Sequence, residues 1–225
     1  MALIIFDSKN QAGPIASGSP TLTHSIGSTS ANMLLVLSIV SRTAGNPTHD
    51  KVTYNGVNMT KDKEQIEGTN IRGSIWSLVN PTTGNNTIQI YFSANNNYRA
   101  ISSSYSGILQ SSPLDVATAS TGNTLNVSDS VNTSVANTVV IDALIHEDTS
   151  ASTPGASQTS LFANDEGQWN TGDSYIILTS AGDATMAWTA GGGDLYDHVV
   201  VAYKSSTVTD TGSSNDLTSY MFFNT

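Results

Sequence analysis

The chain has 225 residues, no cysteine, and a formal charge of −10 from 18 acidic residues against 8 basic ones. Those numbers exclude disulfide staples, thiolate metal sites and a cysteine nucleophile. A chain this acidic, with no basic stripe, also repels a nucleic-acid backbone and an anionic membrane surface, so neither nucleic acid nor membrane is an expected partner.

In chain order, strand signals recur and no helical period of useful length competes with them. Leu3 to Phe6 is a short β-rich opening, and Asp7 to Ser19, with its Gly, Ser and Pro, reads as a loop. Thr21 to Ile26 alternates polar and apolar residues as a half-buried strand does. Met33 to Val40 is apolar on both faces and predicts a central strand covered on each side. Val52 to Met59 holds two β runs around Asn55-Gly56, the pair that best accepts positive φ in a type I′ hairpin turn. Thr60 to Thr69 reads as a polar loop, Ile71 to Val79 as a strand, Asn80 to Gly84 as a turn, and Thr87 to Phe92 as the returning strand. Tyr98 to Tyr105 follows, then a loop through Pro113. Later strands are expected at Thr124 to Val127, Thr138 to Ile145, Tyr175 to Thr179, Thr185 to Thr189 and His198 to Tyr203. Between them, Glu147 to Ser157 and Ala163 to Asp173 read as loops.

A dozen or so short strands punctuated by turns predict an all-β sandwich of two antiparallel sheets. The expected division is one sandwich over residues 1–204. A polar linker follows at 205–225, ending in an apolar tip that is either the last edge strand or a partner-binding arm. The residues of that tip are Leu217, Tyr220, Met221, Phe222 and Phe223, aromatic anchors of the kind that dominate interfaces.

Charged residues are only 12% of the chain, about half the usual share. Ser, Thr, Asn and Gly replace them, as in extracellular and virion-surface β proteins. The opening Met1-Ala2-Leu3-Ile4-Ile5-Phe6 lacks the basic start and cleavage site of a secretory signal. The expectation is a protein assembled in a host cytoplasm and released by lysis.

Several phrases, in their order, carry a family resemblance. They include Ser19-Pro20-Thr21-Leu22-Thr23-His24-Ser25-Ile26-Gly27, Asn32-Met33-Leu34-Leu35-Val36-Leu37, Val52-Thr53-Tyr54-Asn55-Gly56-Val57-Asn58-Met59-Thr60, Ser74-Ile75-Trp76-Ser77-Leu78-Val79-Asn80-Pro81, Ser104-Tyr105-Ser106-Gly107 and Val199-Val200-Val201-Ala202-Tyr203-Lys204. Together they resemble a lectin-like, concanavalin A-like jelly-roll module of the kind found in tailed-phage structural proteins and large bacterial surface proteins. The resemblance implies a jelly-roll fold and an exposed location. As a chain of its own, it points to a bacteriophage capsid decoration (cement) protein or head fibre on the virion surface. Its partner would be the major capsid protein or another virion protein, and it would be a homo-oligomer, a trimer by role. The alternative is a carbohydrate-binding module for adhesion to host or surface glycans, placed extracellularly or at a cell surface.

Catalysis needs a constellation, and none is spelled out, so an enzyme is not expected. Glu64 and Glu67 lie in the predicted polar loop rather than as paired carboxylates on one strand. His24, His49, His146 and His198 sit on unrelated segments without metal-ligand spacing. His146-Glu147-Asp148 is the densest polar cluster, read as a solvated loop start. Asp194, Asp197 and His198, after Gly191-Gly192-Gly193, offer oxygen ligands but read as a Gly-rich hairpin tip. No cofactor and no metal is expected. For a glycan the candidates are Trp169, between Gln168 and Asn170, and Tyr98, after Asn95-Asn96-Asn97. Trp76 and Trp188 are assigned to the core.

Overall fold

The computed structural model describes residues 3–206, apart from 29, 149, 166, 168 and 193. Among these residues there are seventeen strands and no helix. The first nine are β1 (Ile5–Ser17), β2 (Thr21–Ile26), β3 (Leu34–Arg42), β4 (His49–Tyr54), β5 (Val57–Asn58), β6 (Thr60–Glu67), β7 (Ile71–Val79), β8 (Gly84–Phe92) and β9 (Asn96–Ser106). The other eight are β10 (Leu114–Asn123), β11 (Asn126–Thr133), β12 (Thr138–His146), β13 (Thr153–Pro154), β14 (Thr159–Asp165), β15 (Asn170–Leu178), β16 (Gly182–Thr189) and β17 (Leu195–Lys204).

The strands form four antiparallel sheets, ordered β1-β9-β3-β7-β6, β2-β8-β4-β5, β10-β17-β12-β15-β14 and β11-β16-β13. The second pair of sheets repeats the first strand for strand, with β5 alone lacking a counterpart. Each pair has the strand order of a jelly roll. The all-β sandwich class therefore stands, and the expected pair of sheets is present twice.

The repetition extends to single residues. Gly84 and Gly182, both with positive φ, open β8 and β16 and pair with Ile26 and Thr133 at the ends of β2 and β11. Asn32 and Asn137, also at positive φ, precede β3 and β12. The bulge between Phe6 and Ser8 recurs between Leu114 and Val116. Its extra residue is an aspartate both times: Asp7 accepts the Gly27 amide at 3.1 Å, and Asp115 accepts the Ser134 amide at 2.8 Å. A second bulge, between Lys61 and Lys63, recurs between Ser160 and Phe162.

The two five-stranded sheets face each other across a central seam. Leu34, Val36, Val40, Ile75 and Tyr105 from one side meet Val139, Ile141, Val199, Val201 and Tyr203 from the other. Each inner sheet is backed by its own outer sheet. Leu35, Leu37 and Ile39 pack with Val52, Ile88 and Ile90 in the first jelly roll, and Val140 and Val200 with Val131 and Met186 in the second. This layering explains the run Met33 to Val40: a strand in an inner sheet has no solvent face, so both sets of its side chains are apolar. The hairpin at Asn55-Gly56 forms as expected, with φ of 48° and 80° and Tyr54 paired to Val57.

Three expected loops are strands. Asp7 to Ser17 continues β1, an edge strand that takes up Gly13-Pro14 at a register shift. Thr60 to Glu67 is β6, whose polar side chains suit a sheet edge. Asn170 to Asp173 belongs to β15, and β10 was not anticipated because small and polar residues (Ala, Ser, Thr, Gly, Asn) fill most of it. The tip residues Leu217, Tyr220, Met221, Phe222 and Phe223 lie outside the described residues.

Candidate functional site

The densest polar chemistry of the chain lies inside it, between the inner and outer sheets of the second jelly roll. The β12 run of apolar residues is broken by Asp142, which the strand's alternation points away from the seam and towards the outer sheet. There its carboxylate accepts from the Ser174 hydroxyl at 2.6 Å, the Ser174 amide at 2.9 Å, the Trp188 indole at 2.6 Å and His198 Nε2 at 3.0 Å. The other nitrogen, His198 Nδ1, lies 2.7 Å from Asp129, which also accepts from Ser120 at 2.6 Å. Gln158 closes the network by donating to Ser174 at 2.7 Å and accepting the Ala187 amide at 2.7 Å. Burial alone would strip the proton from His198, but two carboxylate bonds and their charges outweigh it and push the imidazole up to about 9. Burial likewise favours protonated Asp129, yet its bonds to His198 and Ser120 hold it below the usual carboxylate value. The trio is therefore an Asp–His–Asp bridge around a charged imidazole, tying β11, β12 and β17 together.

The equivalent positions in the first jelly roll are all apolar. Leu22, Leu37, Met59, Trp76, Ile90 and Ala100 share one core cluster. By strand register they stand where Asp129, Asp142, Gln158, Ser174, Trp188 and His198 stand in the second. The large indole has moved from β7 to β16. Gly172 makes room for it, since a Cβ there would lie 2.6 Å from the Trp188 ring.

The other histidines are capped by neutral groups. His24 has Ser102 at 2.8 Å and Ser104 at 2.9 Å, and burial lowers its pKa to about 4 despite the charge of Asp7. His49 has Ser41 at 2.9 Å and Ser74 at 2.7 Å, and burial, with Arg72 and Lys61 nearby, drives its pKa well below 6.5. His146 lies 3.1 Å from the Thr124 carbonyl and stacks on Tyr196. Serine hydroxyls accept or donate as needed and leave the ring neutral, whereas carboxylates charge it.

The seam holds a second polar set. Asp62, the bulge residue of β6, accepts from Tyr203 across the seam at 2.7 Å, and burial raises its pKa. Asp173 on β15 and Asp197 on β17 are fully buried, and neither carboxyl oxygen of either residue meets hydrogen-bonding geometry with a partner. Burial raises Asp173 well above 3.8 against the tempering influence of Ser38 and Lys9, while Asp142 adds to the rise. Burial and the charge of Glu67 raise Asp197 to about 8. The Gly73 and Glu67 amides and Arg72 act the other way but fall short of bonding. Two clefts sit at opposite margins of the seam. One, of about 280 Å³, is lined by Lys9, Asn10, Gln11, Ile101, Leu161 and Phe162; the other, of about 310 Å³, by Asp62, Ser77, Val79, Pro113 and Leu114 among others.

The sequence-derived sites are rearranged. Trp169 is 2% exposed and packs in the seam core, and Tyr98 is 0% exposed beneath the outer sheet of the first jelly roll. Expectation put Trp169 in a loop and Tyr98 at the loop edge of a strand; the structure places Trp169 beside the start of β15 and Tyr98 within β9, both buried, so neither offers a face to a sugar. Asp194 is exposed, Asp197 turns to the seam and His198 to the opposite face, so the triplet does not converge. Among the described residues no group of three acidic or histidine side chains is placed to hold a metal ion. Glu147 pairs with Arg42 at 2.7 Å, and Glu64 with Lys61 at 2.9 Å and Arg72 at 3.1 Å. Missed altogether were Asp129, Asp142 and Asp173. Their one signal was a lone acid in or beside a β run.

No family model and no curated protein matches the sequence. Among solved structures the chain is similar to the major capsid protein P2 of bacteriophage PM2, with a TM-score of 0.30 and 10% identity. The overlap covers 91% of this chain and 97% of that one. A likeness of that size carries no inference about function. The class the geometry itself defines is a duplicated jelly roll, fused through its inner sheets.

Proposed function

We propose that this chain is a virion structural protein: a capsid decoration (cement) protein or head fibre of a bacteriophage, bound to the major capsid shell as a homo-oligomer and without catalytic activity. The supporting observation is the duplicated jelly roll itself. Two sandwiches joined back to back make a four-layer slab with both outer sheets turned outwards. Thr21, Thr23 and Ser25 of β2, with Asn126, Ser128, Ser130 and Asn132 of β11, give those faces a polar skin in which charges such as Asp183, opposite Asn132, and Lys51, opposite Tyr91, are sparse. Polar side chains with catalytic potential are spent on internal bridges, which suits a load-carrying part. The family resemblance of the sequence phrases points the same way. The glycan-binding alternative loses its two stated anchors, since both rings are core.

The test is reconstitution. Purified chain is added to particles assembled without it, and binding is followed by co-sedimentation and by imaging of the particles. Saturable binding with new density on the shell supports the proposal; absence of binding at micromolar concentration refutes it.

A further inference from the structure

The seam differs from the outer layers in the kind of polar group it buries. Its acids come from both jelly rolls: Asp62 on β6 in the first, Asp173 on β15 and Asp197 on β17 in the second. At the corresponding positions of the opposite copy stand Leu161, Ile75 and Arg99, so the acids are not a legacy of the shared strand pattern. Two of the three carboxyls have no hydrogen-bond partner on either oxygen. Such a group is tolerable when neutral and costly when charged.

We propose that the seam is an ionisable joint: the two jelly rolls are held closed while Asp173 and Asp197 are protonated, and part when these groups ionise. The groups facing them give no adequate countercharge. Asp173 meets Lys9 on β1, Ser38 on β3, Tyr105 on β9, and Asp142 of its own sheet. Asp197 meets Arg72 and Gly73 on β7 and Glu67 on β6. Arg72 is already engaged with Glu64 at 3.1 Å and with Asn46. Lys9 donates to the Leu161 carbonyl at 2.6 Å. Asp62 is different, because Tyr203 bonds to it across the seam and couples its ionisation to the same closure. The outer layers have no such feature, since their acids, Asp129 and Asp142, are matched to His198.

Sign follows from which state holds the proton. Between 3.8 and about 8 the native chain keeps a proton on Asp197 that the opened chain has lost, so closure is favoured at low pH and weakens as pH rises through that window. Raised Asp173 acts in the same direction.

The test is hydroxyl-radical footprinting of the full chain at pH 5 and pH 9.5, read residue by residue. Trp169, Tyr105 and Tyr203 report the seam, whereas Trp76 and Trp188 report the outer layers. Seam labelling relative to outer-layer labelling is expected to rise at least fivefold at pH 9.5. The double variant Asp173→Asn with Asp197→Asn is expected to abolish that rise. Should the double variant fail to fold, Asp197→Asn alone is expected to shrink it by half or more. A constant ratio in the wild type, or an undiminished rise in a folded variant, overturns the proposal.

Discussion

Asp142→Leu copies into the second jelly roll the residue that occupies the same position, Leu37, in the first. Its cost can be worked from the contacts. The carboxylate is fully buried and accepts five bonds, from the Ser174 amide and hydroxyl, Trp188, His198 and, at 3.4 Å, Gln158. Removing it leaves the His198 cation with Asp129 alone, and breaking a buried ion pair costs about 3–5 kcal/mol. Unsatisfied Trp188 and Ser174 donors add to that, so the expected loss is about 5 kcal/mol, within a total stability of about 5–15 kcal/mol. The triple variant Asp129→Leu, Asp142→Leu, His198→Ala reproduces Leu22, Leu37 and Ala100 and removes every charge. It should lose only about 2 kcal/mol, because apolar replacement of a whole buried triad is close to neutral and what remains is the cost of the Trp188, Ser174 and part-buried Ser120 donors left without their carboxylates. Urea unfolding at pH 7, followed by far-ultraviolet circular dichroism and tryptophan emission, measures both. With a slope of about 3 kcal/mol/M the single variant moves the midpoint by roughly 1.5–2 M. A single variant within about 1 kcal/mol of wild type refutes the reasoning, as does a triple variant as unstable as the single.

Gly172→Ala drives a methyl into the Trp188 ring, whose carbon lies 2.6 Å from the ideal Cβ position. It should cost about 1–3 kcal/mol, read as a urea midpoint shift. His24 is lowered by burial to about 4. Between 6.5 and about 4 the unfolded chain therefore binds a proton that the native chain does not, and stability falls as pH falls through that window. Unfolding of wild type and His24→Asn at pH 7 and pH 4.5 should show a smaller acid loss in the variant. Truncation after Ser206 keeps every core residue among the described residues, which run from 4 to 203, and is expected to leave the fold intact by circular dichroism. If the C-terminal tip is a partner-binding arm, the same truncation removes capsid binding in the reconstitution assay while circular dichroism stays unchanged.

The duplication escaped sequence reading for a physical reason. The two copies must share residues only where backbone geometry demands a particular side chain: the positive-φ Asn32 and Asn137, the positive-φ Gly84 and Gly182, and the bulge residues Asp7 and Asp115. Elsewhere any side chain of suitable polarity and volume satisfies a buried strand position, so Leu37 and Asp142 carry no visible kinship. Two of the strands mistaken for loops, β1 and β6, share another cause. At sheet edges Gly, Pro, Ser and Lys are tolerated, and those are the residues that mark loops by composition.

What the amino-acid sequence determined by itself is the local menu: an all-β chain, the Asn55-Gly56 hairpin, the doubly apolar β3, and Trp76 and Trp188 as core. Each follows from near neighbours along the chain, through alternation, turn chemistry and length. What only the tertiary structure decided is the meaning of the polar residues. Asp142 is part of an Asp–His–Asp bridge because Asp129 and His198 arrive from distant strands, and Asp197 is raised to about 8 because the packing buries it beside Glu67. Trp169 is core because a second inner sheet covers it. Burial and countercharge are properties of what packs opposite, and no stretch of sequence carries them.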